Sequence, residues 1–421
     1  MSEILNEDTS GSSTAQGEQP KGAASVEVPP SNLPRQTIRQ LLRVDLGFIP
    51  VLITLIVIVV FFAIATGGIF LSPRNFSELM QEIATIGSLG LGVTLVLLLG
   101  EIDLSIASVS VLCSVVMAVL SERMGASAFV AIGGALLVGA LIGCVNGLFV
   151  AVLRVPSFIV TLAGFIGYAG LLLTLLNGQD TLPIRNEFIL SIAGTPTSFL
   201  INPLGIGLPT LGFLLYAGSL IFNYSRRRRL GLRTIGLPQL IIQIVIAAIL
   251  IEGAVVLFQS YFGVPNSIAI LFGLIVIFWL ILTKTSFGRH IYAVGGNAEA
   301  ARRAGINVVG IRIAAFTLCS LLAAVGGILL SSRQTAVGSQ VPPTLLLEAI
   351  AAAVIGGVSL FGGRGSAWAI VLGMLIIGSL ENGLTLLNQQ TNVKEMIEGL
   401  VLLIAVTFDA VLRRLQARSG R

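Results

Sequence analysis

The sequence predicts an all-α protein, a polytopic transmembrane helical bundle of about twelve spans with both termini cytoplasmic. Three observations carry that prediction. Hydrophobic residues make up 55% of the chain and charged residues 11%, against roughly 25% charged in a soluble domain. Mean hydropathy is +0.97. The 48 glycines suit apolar helices that approach each other closely, as membrane helices do.

The elements follow in order. Met1 to Pro34 is rich in Ser, Gly, Glu and Pro, so it reads as a disordered polar tail on the cytoplasmic side. It has neither the apolar run nor the small-residue cleavage site of a signal peptide. The rest, 35–421, is the membrane domain. A hydrocarbon core about 30 Å thick needs roughly 20 apolar residues of helix. Runs of that order, bounded by charges, Pro or polar clusters, are Phe48 to Phe70, Leu79 to Leu99, Ile106 to Leu120, Phe129 to Val152, Ile159 to Leu176 and Leu204 to Phe222. The second half adds Leu240 to Phe258, Ser267 to Leu282, Ile311 to Leu330, Leu345 to Phe361, Ala367 to Leu387 and Met396 to Leu412.

Arginine sets the topology, because short basic loops stay cytoplasmic. With twelve alternating crossings, Lys and Arg divide 20 inside to 5 outside. The inside set includes Arg35, Arg39, Arg43, Arg154, Arg226 to Arg229, Arg364 and the tail from Arg413. The net charge of +5 is therefore a topology signal, and nucleic acid is not an expected partner; membrane lipid is. Cys113, Cys144 and Cys319 fall inside apolar runs without C-x-x-C spacing, as reduced packing residues do.

Two loops are long. The external one, Asn177 to Pro203, carries Asp180, Arg185 and Glu187. The internal one, Thr283 to Gly310, holds a short helix: Asn297 is an N-cap, Glu299 sits in the first turn, and Gly305 is the C′ stop. Glu299 precedes Arg302 and Arg303 by three and four residues, the spacing of one helix face. Alone, such a helix is marginal in water. It is either a connector resting on the protein's own surface or an element made to dock.

Other residues carry two readings each. Gly100-Glu-Ile-Asp-Leu and Gly356-Gly-Val-Ser-Leu form a weak internal repeat of a kind that marks interrupted helices in transporters. Glu101, Asp103 and Ser105, and in the second copy Gly356, Gly357 and Ser359, line a translocation path, or else the carboxylates lie at the interface or cap the helix starting at Ile106. Asn146 and Asn382 either meet sugar hydroxyls or join helices. Glu252 is a lone carboxylate within a span, a functional candidate unless it lies at an interface. Gly139, Gly143 and Gly147 form a small-residue helix face, which is architecture. His290 is the single histidine and reads as a solvated loop residue, so no protein metal site is expected. There is no Walker A loop, nucleophile elbow or dinucleotide fingerprint, so the chain is not expected to be an enzyme.

Three stretches together resemble a known family: Thr285 to Asn297 (TSFGRHIYAVGGN) with Ala300 to Asn307 (AARRAGIN), Glu101 to Ser108 (EIDLSIAS), and Ala349 to Gly365 (AIAAAVIGGVSLFGGRG). The chain resembles the permeases of binding-protein-dependent ABC importers, in the branch for ribose, xylose, arabinose and related sugars, from about Phe48 to Leu412. The resemblance implies the ABC importer permease fold, a bacterial inner-membrane location, a homodimer, a cytoplasmic ATPase carrying the ATP and Mg2+, and a periplasmic sugar-binding protein. It makes the internal loop a coupling helix for the ATPase, with Phe287, Gly288, Arg289, Tyr292, Gly295 and Gly296 leading into Asn297, Glu299, Ala300, Arg302, Arg303 and Gly305. Ribose-type members have glycine at the positions of Glu101 and Ala107 and lack the two spans joined by Arg226 to Arg229. Both departures are similar to xylose-type permeases and point to D-xylose or a similar pentose. The alternatives are an ABC permease for ribose, a branched-chain amino acid or a nucleoside, and an ion-coupled secondary transporter using Glu101, Asp103 or Glu252.

Overall fold

The computed structural model describes residues 48–194, 198–232, 234 and 236–418. The polar tail, Arg35, Arg39, Arg43, Arg233 and Arg421 lie outside the described residues. Helices follow the apolar runs: α1 (Phe48–Ala65), α2 (Pro73–Leu98), α3 (Ile106–Ala118), α4 (Ala128–Ala151) and α5 (Ser157–Leu176). A strand, β1 (Thr181–Pro183), and a short helix, α6 (Glu187–Ala193), precede α7 (Asn202–Arg229), α8 (Leu237–Gln259) and α9 (Asn266–Lys284). Next come α10 (Ser286–Gly296), α11 (Ala298–Arg303), α12 (Val308–Gln334), β2 (Ala336–Gly338), α13 (Pro343–Ile355), α14 (Ala369–Leu386) and α15 (Thr391–Arg418).

Among the described residues nine helices are long and apolar enough to cross a membrane, and Val51–Ala65 and Pro343–Ile355 are shorter apolar helices. The expected count of about twelve is not reached. The clearest correction concerns Leu345 to Phe361, an unbroken apolar run in sequence. Its helix stops at Ile355 after 13 residues, about 20 Å at 1.5 Å per residue, because Gly357 takes φ +102°. The first span likewise ends early, at Ala65, in a turn through Gly67 (φ +61°) and Gly68 (φ +90°). The second begins earlier than its apolar run, at Pro73, because Ser72 accepts from the Asn75 amide at 3.3 Å and Pro stands at the first turn.

Helix α12 sits at the centre against α2, α3 and α4. The glycine face of α4 is the reason it can. A Cβ at Gly143 would overlap the Phe316 carbonyl oxygen, and one at Gly147 would stand 2.7 Å from the Ile313 Cα. Backbone meets backbone there, so the stripe is an intrachain seam. By contrast α7 and α8 pack mainly on each other and expose large apolar side chains such as Leu214, Leu215, Ile249 and Leu250. Within this hairpin Thr210 donates to Glu252 at 3.2 Å. Glu252 is thus paired inside the peripheral hairpin. We expect Glu252→Gln to change activity less than about twofold, since an amide oxygen still accepts from Thr210; a loss beyond tenfold would restore it as a functional candidate.

The connections collect at two ends. At one, β1 pairs antiparallel with β2 in the register Thr181↔Gly338. Beside it α6 is fastened to α12 by Ser332, whose hydroxyl donates to the Ile189 carbonyl at 2.6 Å and accepts from the Ala193 amide at 2.9 Å. The π turn after α3 holds the same end. Arg123 donates to the Leu175 and Leu176 carbonyls at 2.6 and 2.8 Å, and Glu122 accepts from the Asn186 amide at 3.2 Å. At the other end, the α2–α3, α9–α12 and α13–α14 connections meet.

Candidate functional site

At that second end α2 closes in a Schellman motif. Gly100, at φ +76°, donates to the Leu97 carbonyl at 2.8 Å, and the Glu101 amide donates to Val96 at 3.2 Å. The same motif ends α13, where Gly357 donates to Val354 at 2.9 Å and Val358 to Ala353 at 3.0 Å. Each is followed by a polar turn: Asp103 Oδ1 accepts from the Ser105 amide at 2.8 Å, and Ser359 Oγ accepts from the Phe361 amide at 3.1 Å. The internal repeat is thus one of backbone motifs, with the capping glycine one residue nearer the turn in the second copy. The two turns touch, since the Gly363 amide donates to the Leu98 carbonyl at 2.9 Å.

Asp103 starts a chain of hydrogen bonds through the bundle. The Ser105 hydroxyl donates to Asp103 Oδ1 at 2.6 Å, Asn146 Nδ2 donates to Ser105 Oγ at 3.1 Å, and the Tyr168 hydroxyl donates to Asn146 Oδ1 at 2.7 Å. Asp103, Ser105 and Asn146 are buried. From α5, Thr161 accepts from the Leu104 amide at 3.0 Å and Ser157 accepts from the Ile102 amide at 3.2 Å. Asp103 therefore serves the turn that opens α3, while Asn146 both joins helices and belongs to a polar file. Glu101 faces elsewhere and pairs with Arg312 at 3.0 Å.

Tyr168, Thr161 and Arg312 were not among the residues singled out from sequence. The signal for the first two was present: Ser157, Thr161 and Tyr168 fall at helical spacing on one face of an otherwise apolar span. Asn382 does not join them. It accepts from Asn75 Nδ2 at 2.9 Å, linking α14 to the first turn of α2, at the β1–β2 end. Gly356 packs so closely on α14 that a Cβ would overlap the Ala369 carbonyl, which is a packing role.

The internal loop holds two helices rather than one. Asn297 caps α11 as expected, its side chain accepting from the Ala300 amide at 2.9 Å. Gly305, at φ +83°, closes α11 in a third Schellman motif, with Ile306 donating to Ala301 at 3.0 Å. Glu299 reaches Arg302 at 3.4 Å and Arg303 at 3.3 Å, all three exposed. Ahead of it α10 was unforeseen. Thr285 caps it, accepting from the Gly288 amide at 3.3 Å, after Gly288 has passed close to the Leu282 carbonyl.

Tyr292 and Gly295 then lock α10 to the other loops: the Tyr292 hydroxyl donates to the Gly365 carbonyl at 2.8 Å, and a Cβ at Gly295 would overlap the Leu98 carbonyl and lie 2.7 Å from the Gly363 amide. Gly296, by contrast, faces open space. Phe287 packs against the core while Arg289 and Ala300 are exposed. A surface depression of about 460 Å³ between His290 and Ile311 runs alongside. An exposed helix, α11, is thus tied through α10 to the turn leading into the buried polar file.

Residues 75–406 match the family described as branched-chain amino acid transport system / permease component. The chain is 37% identical to the xylose transport system permease protein XylH of Haemophilus influenzae, over 88% of this chain and 98% of that protein. It is 37% identical to XylH of Escherichia coli K12 over 86% and 91%, and 32% identical to the ribose import permease protein RbsC of the same strain over 81% and 87%. No solved structure matches it.

Proposed function

The chain belongs to the branched-chain amino acid transport system / permease component family, and from that premise we propose that it is the membrane-spanning subunit of an ABC importer carrying D-xylose across the inner membrane. The observation that supports the sugar is 37% identity over nearly the whole length of a xylose permease, against 32% for the ribose permease. The chain itself performs no covalent step. ATP and Mg2+ act on a cytoplasmic ATPase, two copies of the permease enclose one pathway, and a periplasmic binding protein delivers the sugar.

In this reading the end bearing α10 and α11 is cytoplasmic and the β1–β2 end is periplasmic. The ATPase grips α11 through Asn297, Glu299, Ala300, Arg302 and Arg303. Its movement passes through Gly295 and Tyr292 to the Leu98 to Ser105 turn and so to Asn146 and Tyr168. Proteoliposomes holding the permease, the ATPase and a xylose-binding protein should take up xylose only with ATP inside, and uptake should survive a protonophore. Uptake that tracks an ion gradient without ATP would reject the proposal.

The periplasmic end gives a further expectation. Asp180, Arg185 and Glu187 are exposed on a loop that β2, Arg123 and Ser332 hold in one shape. Charges on an interface rim act mainly on association rate. Reversing Asp180 and Glu187 to Lys together should raise the binding-protein concentration needed for half-maximal uptake about three- to tenfold, without reducing ATPase retention on the purified permease.

A further inference from the structure

Beside α11 lies a cavity of about 220 Å³ whose charged lining is Arg154, Arg302, Arg312 and Glu101. Three arginines and one glutamate thus share its lining. Glu101 takes one bond from Arg312, at 3.0 Å, and the Arg312 Nε is buried with no hydrogen-bond partner. A guanidinium has five donors and no acceptor, so Arg312, which lines the cavity, has donors to spare. Arg154 makes no ion pair among the described residues, and it stands at φ +58°, a left-handed backbone that arginine seldom adopts. The turn holding it there hydrogen-bonds Val155 to the Phe149 carbonyl at 3.2 Å. Arg302 gives one bond to Glu299 at 3.4 Å and is otherwise exposed. The site is thus an anion receptor with positive charge in excess. Its lip is α11 and its floor is the ion pair one step from Asp103.

We propose that this cavity receives a carboxylate side chain of the cytoplasmic ATPase. This rests on the reading of α11 as the ATPase contact and adds a second contact that lies off α11, at Arg154 and Arg312. A protein carboxylate suits the site better than a phosphate dianion, because Arg312 is already paired with Glu101 and Arg302 with Glu299, which leaves one positive charge, that of Arg154, without a counter-charge. Planar bidentate pairing is what arginine does best with a carboxylate. Filling the cavity brings that carboxylate against Arg312 and so against Glu101, two residues from the Asp103 turn. The ATPase thereby touches the buried polar file by a route that does not pass through Gly295.

The test uses the whole complex in lipid nanodiscs. In Arg154→Lys a primary amine replaces the guanidinium, and a carbodiimide couples amines to touching carboxylates. Mass spectrometry should find position 154 joined to an Asp or Glu of the ATPase. In a second variant, Arg154→Glu, xylose-stimulated ATP hydrolysis should fall at least tenfold while ATPase retention falls less than threefold. An Arg at the partner position identified by the crosslink should restore it. If the ATPase is retained but position 154 stays unlinked, or links only to Glu101, the cavity proposal is overturned and the partner stands. Failure of wild-type permease to retain any ATPase overturns both. Loss of bound phosphatidylglycerol from Arg154→Glu in native mass spectrometry, without a crosslink, assigns the cavity to a lipid headgroup and overturns the proposal too.

Discussion

Gly295→Val should insert and retain its α1–α9 framework yet transport at least tenfold less xylose than wild type. Gly295 is where the α10 backbone passes the end of α2, with a Cβ there overlapping the Leu98 carbonyl and standing 2.7 Å from the Gly363 amide. Both neighbours are backbone, so neither yields by a rotamer change. Overpacking of this kind costs about 1–3 kcal/mol, and at this position the cost falls on the contact that joins α10 to the α2 and α13 turns. Gly296→Val is the control. Its Cβ meets nothing within 4 Å, so stimulation of the ATPase should stay within about twofold of wild type. Stimulated hydrolysis and ATPase retention, measured together on both variants, decide the matter: equal behaviour of the two would mean that α10 does not carry the coupling.

Asp103→Ala should be nearly inactive, while Asp103→Asn keeps most of its transport. The Asp103 Oδ1 atom accepts from both the amide and the hydroxyl of Ser105, at 2.8 and 2.6 Å. Alanine leaves both donors unsatisfied in a buried place, at about 1–3 kcal/mol each, and it frees the head of the file running to Tyr168. An amide oxygen still accepts both. Thermal unfolding in detergent should place Asp103→Ala below Asp103→Asn by a margin consistent with about 2 kcal/mol or more, and uptake rates should follow that order. A protonatable transport carboxylate would behave otherwise, with Asn as damaging as Ala.

Much of this arrangement was legible in the chain, and the rest failed for identifiable reasons. Asn297, Glu299 and Gly305 announce α11 because caps and stops are local chemistry, and the structure keeps each of them. Gly288, Gly295 and Gly296 instead suggested loop, so α10 went unseen; two of those glycines are there for close approach to Leu282 and Leu98, which only the tertiary fold reveals. Gly295 and Gly296 read alike in the chain, and the fold separates them: a Cβ at Gly295 would overlap the Leu98 carbonyl, while one at Gly296 meets nothing within 4 Å. The end of α13 was hidden because Val358, Leu360 and Phe361 continue the apolar run past the break at Gly357. Asp103, Ser105 and Asn146 each stand out in the chain, but their connection, with Tyr168 beyond, is a contact between helices that only the tertiary fold makes.

The pairing of β1 with β2 also has a consequence in time. Thr181 meets Gly338, and the Ile184 amide donates to the Thr335 carbonyl at 2.9 Å, so the first partner is translated long before the second. At roughly 5–20 residues per second, about eight to thirty seconds of synthesis separate them, during which α7, α8, α9 and α12 enter the membrane. Until then the Asp180 to Glu187 loop has neither its β2 partner nor the Ser332 clasp. A nascent or truncated chain that stops short of Thr335 therefore has this end unfinished, with the Asp180 to Glu187 loop held by neither contact.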